Sequence, residues 1–389
     1  MHRKNFFRRL TGFILSAVFI LSLSFSVLAD TGAGQASSLD ASQAVSMSSA
    51  DEAIRKLTEG NAFQSMTEEQ RLSAAARCLN DLSFADRING DSVCYDDASG
   101  ILSFRYTCGV LGGIMIRDFS ENDLFTASSE EELLPDPGLP ENLVPVASSS
   151  SEERRIAKIF YAFDNTLDST RYSSYVQIQQ LWNEAGLPTI LDTEPTVQDF
   201  REMADYDVCI ISTHGAYFTY TDGPFWKQKK TEPILILNEK STWYKDLFYG
   251  LDLILGNVIK INGRYCIDPS FFDCTYFRHK LHGNIVISET CEFMGIEENP
   301  SSALADAILN AGARTVIGFR NNVYAMYARG VMFYIVSDMM NGKTAWQAMV
   351  EALGYYGADD LIWYNQAGGR NPHARPSYPI LTGSGSAAL

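Results

Sequence analysis

From Arg154 onward, short apolar blocks alternate with segments of helical period. The runs RIAKIFYAF, PTILDT, YDVCIISTHG, GNIVISETC and RTVIGF are nearly continuous in apolar residues and are bounded by Gly, Pro, Asn or Asp. Runs of that kind predict strands buried on both faces. Between them, YSSYVQIQQLWNEAG, VQDFREMA and SSALADAILNAG predict helices, the first closed by Gly186. Two more helices are predicted at VYAMYARGVMFYIVSDMMNG and TAWQAMVEALGYYG. Strand and helix alternating in this way predict an α/β domain over 154–389, with a mainly parallel sheet covered by helices. Roughly seventy residues separate the third strand from the fourth, and a loop of that length in a compact domain is usually a lid or substrate-facing element. They contain EPILILNE and LDLILGNVIKING, which predict an inserted loop and hairpin region.

Upstream the period changes. Thr67 to Leu82 predicts a helix: Thr67 and Gln70 make a capping box, and Leu72, Ala75, Ala76 and Leu79 share one face. Ser92 to Asp118 alternates like strands, with YDDASGI as a hairpin turn and GVLGGIMI as a further strand. The result is a small α+β module over 30–127. Its first part, Asp30 to Ala50, is rich in Ser, Ala and Gly, a composition that predicts disorder. Residues 128–153, SSEEELLPDPGLPENLVPVASSSSEE, have the chemistry of an extended acidic linker open to proteolysis. The 30–127 module is therefore expected to be a pro-region or accessory module.

The N-terminus carries a different signal. Arg3, Lys4, Arg8 and Arg9 precede the apolar run Leu10 to Leu28, and Val27-Leu28-Ala29 gives a small-residue exit. That pattern predicts an export signal over 1–29, cleaved after Ala29, and hence a secreted protein. Left uncleaved, the run would be long enough to span a bilayer. The whole chain has a formal charge of −16, and losing the basic head would make it more acidic still. Such a balance argues against nucleic acid and anionic lipid as partners. Seven cysteines, an odd number, leave at least one thiol unpaired in an exported protein. Cys266 and Cys274 flank one loop and are the easiest pair to imagine. Cys209 lies inside a strand.

Loops at the carboxyl ends of parallel strands line the crevice of such a sheet. Three of the predicted strands end in reactive residues: Asp164, His214 and Cys291. The chain has only five histidines, so one at a strand exit is informative. A cysteine attacks an amide carbonyl as thiolate, or with a base to take its proton. An imidazole supplies that base and later protonates the leaving amine. The oxyanion then needs donors, which the backbone N–H groups of Gly215 and Cys291 could provide.

The ordered set DVCIISTHG, NIVISETCEFMG and SSALADAILNAGARTVIGF resembles the caspase-like cysteine peptidases, a group that includes caspases, legumain, clostripain, gingipains and CHAT-domain proteases. The later FYIVSDMMNGKTAWQAM is most similar to the CHAT and gingipain branches. The resemblance covers Arg154 to about Ala358. It implies a caspase-like three-layer sandwich, a His214/Cys291 dyad and an oxyanion hole at Gly215 and Cys291. It also implies that Asp164 and Glu289 line the pocket for the side chain before the scissile bond. Two acids there would favour Arg or Lys.

Each residue also has a plainer reading. Cys291 could be a buried thiol or half of a disulfide, and His214 a satisfied loop histidine. Asp164 could cap the next segment, and Glu289 could pair with Arg320. His279 and His282 form an HxxH near Cys266 and Cys274, but the spacing is loose and no CxxC is present. No metal or cofactor is expected. The sequence carries no nucleotide, metalloprotease or serine hydrolase motif. Two functions follow: a secreted cysteine endopeptidase acting on protein or peptide, or a catalytically silent caspase-like scaffold that binds a partner.

Overall fold

Two sheets organise the chain. In the computed structural model, residues 38–117, 155–163, 169–222, 228–278, 280–366 and 375–389 are described. The expected export signal, the linker, Asp164 and His279 lie outside them. In chain order the strands are β1 (Ile88–Asp96), β2 (Ile101–Tyr106), β3 (Leu111–Met115), β4 (Ala157–Tyr161), β5 (Thr189–Asp192), β6 (Val208–Ser212), β7 (His214–Asp222), β8 (Gln228–Lys240), β9 (Val258–Ile261), β10 (Arg264–Ile267), β11 (Ile285–Ser288), β12 (Gly295–Ile296), β13 (Asn299–Pro300), β14 (Thr315–Arg320) and β15 (Tyr378–Gly383).

The first sheet runs β15-β14-β11-β6-β4-β5. Its five central and edge strands from the apolar blocks pair in parallel, and only β14–β15 is antiparallel. Side chains alternate between two cores. Ile159, Ile210, Ile287 and Ile317 enter one; Phe160, Ile211, Val286 and Val316 enter the other. Helices Ser169–Glu184, Ala325–Met340 and Ala345–Tyr356 cover the first face, and Ala303–Asn310 covers the second. The class is thus α/β, with parallel pairs at its centre. Strand β15 carries only the short apolar run YPIL, with a proline in it; Pro379 sits opposite Phe319 on an edge strand, where proline is tolerated.

The second sheet runs β1-β2-β3-β9-β10-β8-β7 and is antiparallel except at β3–β9. It draws on both the N-terminal module and the insertion, which the sequence presents as separate pieces. The sheet curls until β1 and β2 lie over β7. Asp96 accepts the Thr219 hydroxyl at 3.0 Å and pairs with Lys229, and Arg105 donates to the Thr221 carbonyl at 3.2 Å. Ile101, Leu111, Phe218, Ile234, Ile259 and Ile261 fill the inside.

Helix Ala41–Thr58 is ordered where composition predicted disorder. Asp40 and Gln43 form its capping box, and Ala44, Met47, Ala50, Asp51 and Ile54 are buried. Its small residues let it pack closely, and tertiary burial supplies what a weak intrinsic propensity lacks. Asp51 is the anchor. Lys260 Nζ lies 2.8 Å from Asp51 and 2.7 Å from Asp246, with all three side chains at 0% exposure. The hydroxyls of Tyr106 and Ser241 donate to Asp51, and that of Tyr265 to Asp246. Charges taken so far out of water persist only when paired and hydrogen-bonded in this way. Residues 39–389 form one compact unit.

Candidate active site

Strands β4, β6 and β11 are neighbours and point the same way, so their carboxyl ends open side by side. Register then stacks rows of side chains on one face. Ile159, Ile210 and Ile287 make an apolar row. Tyr161 pairs with Ser212 in the next, and Glu289 follows β11, its N–H bonded to the Ile211 carbonyl at 2.8 Å. One step further on this face come Phe163, His214 and Cys291. The Thr213 and Thr290 hydroxyls, on the step between, lie 3.1 Å apart. The Phe163 and His214 rings meet edge to face at 4.6 Å. His214 and Cys291 are both half-buried, and none of the seven cysteines, all among the described residues, forms a disulfide.

His214 does not enter a loop. The chain turns at Thr213 and starts β7 at once, so His214 stands where it passes from one sheet to the other. Gly215 explains how that passage fits. A Cβ there would lie 2.1 Å from the Cys291 carbonyl oxygen and 2.2 Å from Thr290 Cγ2. No side chain can occupy that space, so the imidazole-bearing strand presses directly on the peptide that carries the thiol.

Cys291 sits on a tight crossover. Glu292 has φ +57° and Asn321, on the facing crossover after β14, has φ +62°. The Glu292 N–H donates to the Asn321 carbonyl at 2.9 Å, and the Asn321 N–H to the Gly295 carbonyl at 2.8 Å. Two non-glycine residues in the left-handed region, laced together beside the Cys291 thiol, are the kind of stored strain that clusters at working sites. The Val323 N–H points at Cys291 Sγ, 3.4 Å away. Phe293 and Met294 turn to the other face, where Phe293 packs on Gly318.

The electrostatics are those of buried carboxyls. Burial pushes Glu292 up to about 7, against the pull of the Tyr217 backbone amide. Glu289 is buried one row below the pair, where Tyr175 donates to it and Ser212 Oγ lies 3.4 Å away. Burial, reinforced by the charge of Glu289, holds the Tyr175 phenol well above its ordinary value. The Arg320 partner considered for Glu289 is engaged elsewhere: it donates to the Met294 carbonyl at 3.3 Å and lies over the Tyr378 ring. Asp164 follows Phe163 but lies outside the described residues.

Cys266 and Cys274, the pair easiest to imagine from the sequence, are not bonded to each other. Cys266 is buried inside the curled sheet, whereas Cys274 is exposed at the end of helix Pro269–Thr275. The first points into an apolar core and the second away from it. Among the described residues no three His, Cys, Asp or Glu side chains converge as a metal site. Sequence reasoning missed Val323, whose backbone amide leaves no trace in residue type, and Asp360, whose buried carboxyl meets the same turn. The pair Asp359-Asp360 after a helix was the available signal, but it reads as an ordinary loop.

No protein-family model matches the chain, and no curated protein matches its sequence. Among the described residues no helix is long and apolar enough to cross a membrane.

Proposed function

We propose that the chain is a cysteine endopeptidase with a caspase-like arrangement of its α/β sheet, exported through its N-terminal signal and acting on protein or peptide. The observation that carries this reading is the contact of Gly215 with the Cys291 carbonyl, which brings the residue after His214 against the residue that bears the thiol. In the proposed reaction the Cys291 thiol gives its proton to His214 and the sulfur attacks the scissile carbonyl. The oxyanion of the tetrahedral intermediate takes hydrogen bonds from the Gly215 and Cys291 N–H groups. Collapse breaks the C–N bond, and His214 returns the proton to the leaving amine. Water, deprotonated by His214, then attacks the thioester, freeing the new carboxylate and restoring the thiol. No cofactor is required.

A side chain before the cut would lie over the row containing Glu289, and the resemblance adds Asp164 to the same pocket. Their negative charge favours Arg or Lys. A library of peptides varying that position tests activity and preference together. Cleavage after Arg or Lys, lost in Asp164→Ala while Cys291 still alkylates, supports the assignment. Unchanged cleavage in Asp164→Ala removes Asp164 from it, and no cleavage of any peptide leaves the silent scaffold as the better account.

A further inference from the structure

The sulfur of Cys291 has a backbone donor, and that donor is held in place from elsewhere. Val323 belongs to the turn 321–324 that links β14 to helix Ala325–Met340. The next residue, Tyr324, donates its N–H to Asp360 Oδ2 at 2.9 Å. Asp360 Oδ1 accepts the Ser377 N–H at 2.6 Å, and the Asp360 N–H reaches back to the Ser377 carbonyl at 3.0 Å. Ser377 Oγ in turn donates to the Arg320 carbonyl at 2.5 Å, the last residue of β14. Asn321 closes the mesh by donating Nδ2 to the Pro376 carbonyl at 2.9 Å. One carboxyl, 0% exposed, thus ties the turn beside Cys291 to the segment that leads into β15.

We propose that Asp360 is a positioning residue for Cys291: its carboxylate pins the Val323–Tyr324 turn so that the Val323 N–H stays aimed at the sulfur. The proposal rests on the reading of Cys291 as the reacting group. An N–H donated to sulfur at 3.4 Å stabilises the thiolate over the thiol, against the more distant Val323 carbonyl at 3.9 Å to which a thiol can donate, so the placing of this turn sets how much nucleophile is present at neutral pH. Asp360 never touches substrate; it acts through two backbone amides. Asn cannot replace it, because both Asp360 oxygens accept from N–H groups and an amide offers one acceptor. The titratable groups beside it are Asp359 and Tyr327. Burial raises Asp360 to about 7, while the Ser377 and Tyr324 amides favour its charged form.

The test follows the rate of Cys291 alkylation by iodoacetamide against pH, with the modified peptide quantified by mass spectrometry. Asp360→Asn should raise the midpoint by about one pH unit and slow labelling at pH 7 about tenfold, the worth of one hydrogen bond to a charged group. Asp360→Glu should recover part of that shift. A lower melting temperature with an unchanged midpoint would overturn the proposal, because a merely structural clamp moves only the former. If neither variant folds, the unmutated protein decides: the Val323 amide proton resonance should titrate with the Cys291 midpoint, and an invariant resonance would overturn the proposal. Failure of the peptidase reading looks different: the midpoint still depends on Asp360, yet no peptide is cut.

Discussion

The two sheets bury their surfaces by different means. The parallel sheet has the apolar row Ile159, Ile210 and Ile287 on one face, a single buried lysine, Lys158, paired with the part-exposed Asp192 and Asp199 on the other, and a polar carboxyl edge where His214 and Cys291 emerge. The curled sheet instead has Lys260, Asp51 and Asp246 buried together in the layer against helix Ala41–Thr58. An apolar row tolerates change in proportion to the atoms removed. A buried ion cluster is all or nothing, because removing one charge strands its partners. The difference teaches where each part of the chain can vary, and it separates a scaffold fixed by charge from a site fixed by close approach.

The largest effect should come from Lys260→Met, which leaves two carboxylates facing each other in the dry. Denaturant unfolding should show a loss of about 3–5 kcal/mol. In the parallel sheet, Ile210→Val should cost only about 0.5–1.5 kcal/mol by the same measurement. Equal losses would dissolve the contrast. Next comes Gly215→Ala. Its Cβ has no room beside the Cys291 carbonyl, so the two crossovers must separate, at about 1–3 kcal/mol of stability. Cys291 alkylation and peptide cleavage should fall further than that loss explains, whereas wild-type rates would show that the close approach is not needed.

A smaller effect is expected from pH. Glu292 and Asp360 are both raised to about 7 by burial, above their values in an unfolded chain. The folded state therefore holds protons that the unfolded chain has already released. Stability contributed by these groups is present at low pH, declines as pH rises through the window up to 7, and is gone above it. Melting temperature should be a few degrees higher near pH 5.5 than near pH 8, of the size that one or two extra bound protons produce. A higher melting temperature at pH 8 would contradict this.

The smallest effect should follow from cutting the chain within 118–154. β3 pairs with β9, and Asp51 is locked to Lys260, so the 39–117 fragment should stay bound and co-elute on gel filtration. Release of that fragment would mean that the shared sheet does not hold the two parts together, and that 30–127 behaves as a removable pro-region.

Much of the parallel sheet was legible because its strands are apolar on both faces and its helices carry caps. Gly186 at φ +92° closes the first helix of that domain where the sequence places it, and the Thr67–Gln70 capping box does the same in the upstream module. The curled sheet was not legible as a unit, since pairing between β3 and β9 joins segments far apart in the chain and no local pattern encodes it. Helix Ala41–Thr58 was hidden for a related reason: its buried face is Ala, Met and Asp, which looks polar until Lys260 is opposite. At the candidate site, residue types marked His214, Gly215 and Cys291. The reason Gly215 is glycine, and the Val323 amide and Asp360 behind the sulfur, emerge only from three-dimensional contacts.

The central claim is that His214 and Cys291 act on one proton. Timed iodoacetamide labelling near neutral pH, with every cysteine mapped, tests it most directly. The account predicts one fast thiol, Cys291, whose rate collapses in His214→Ala while the other six label slowly in both proteins. Slow, unselective labelling, or a Cys291 rate that ignores His214→Ala, would contradict it.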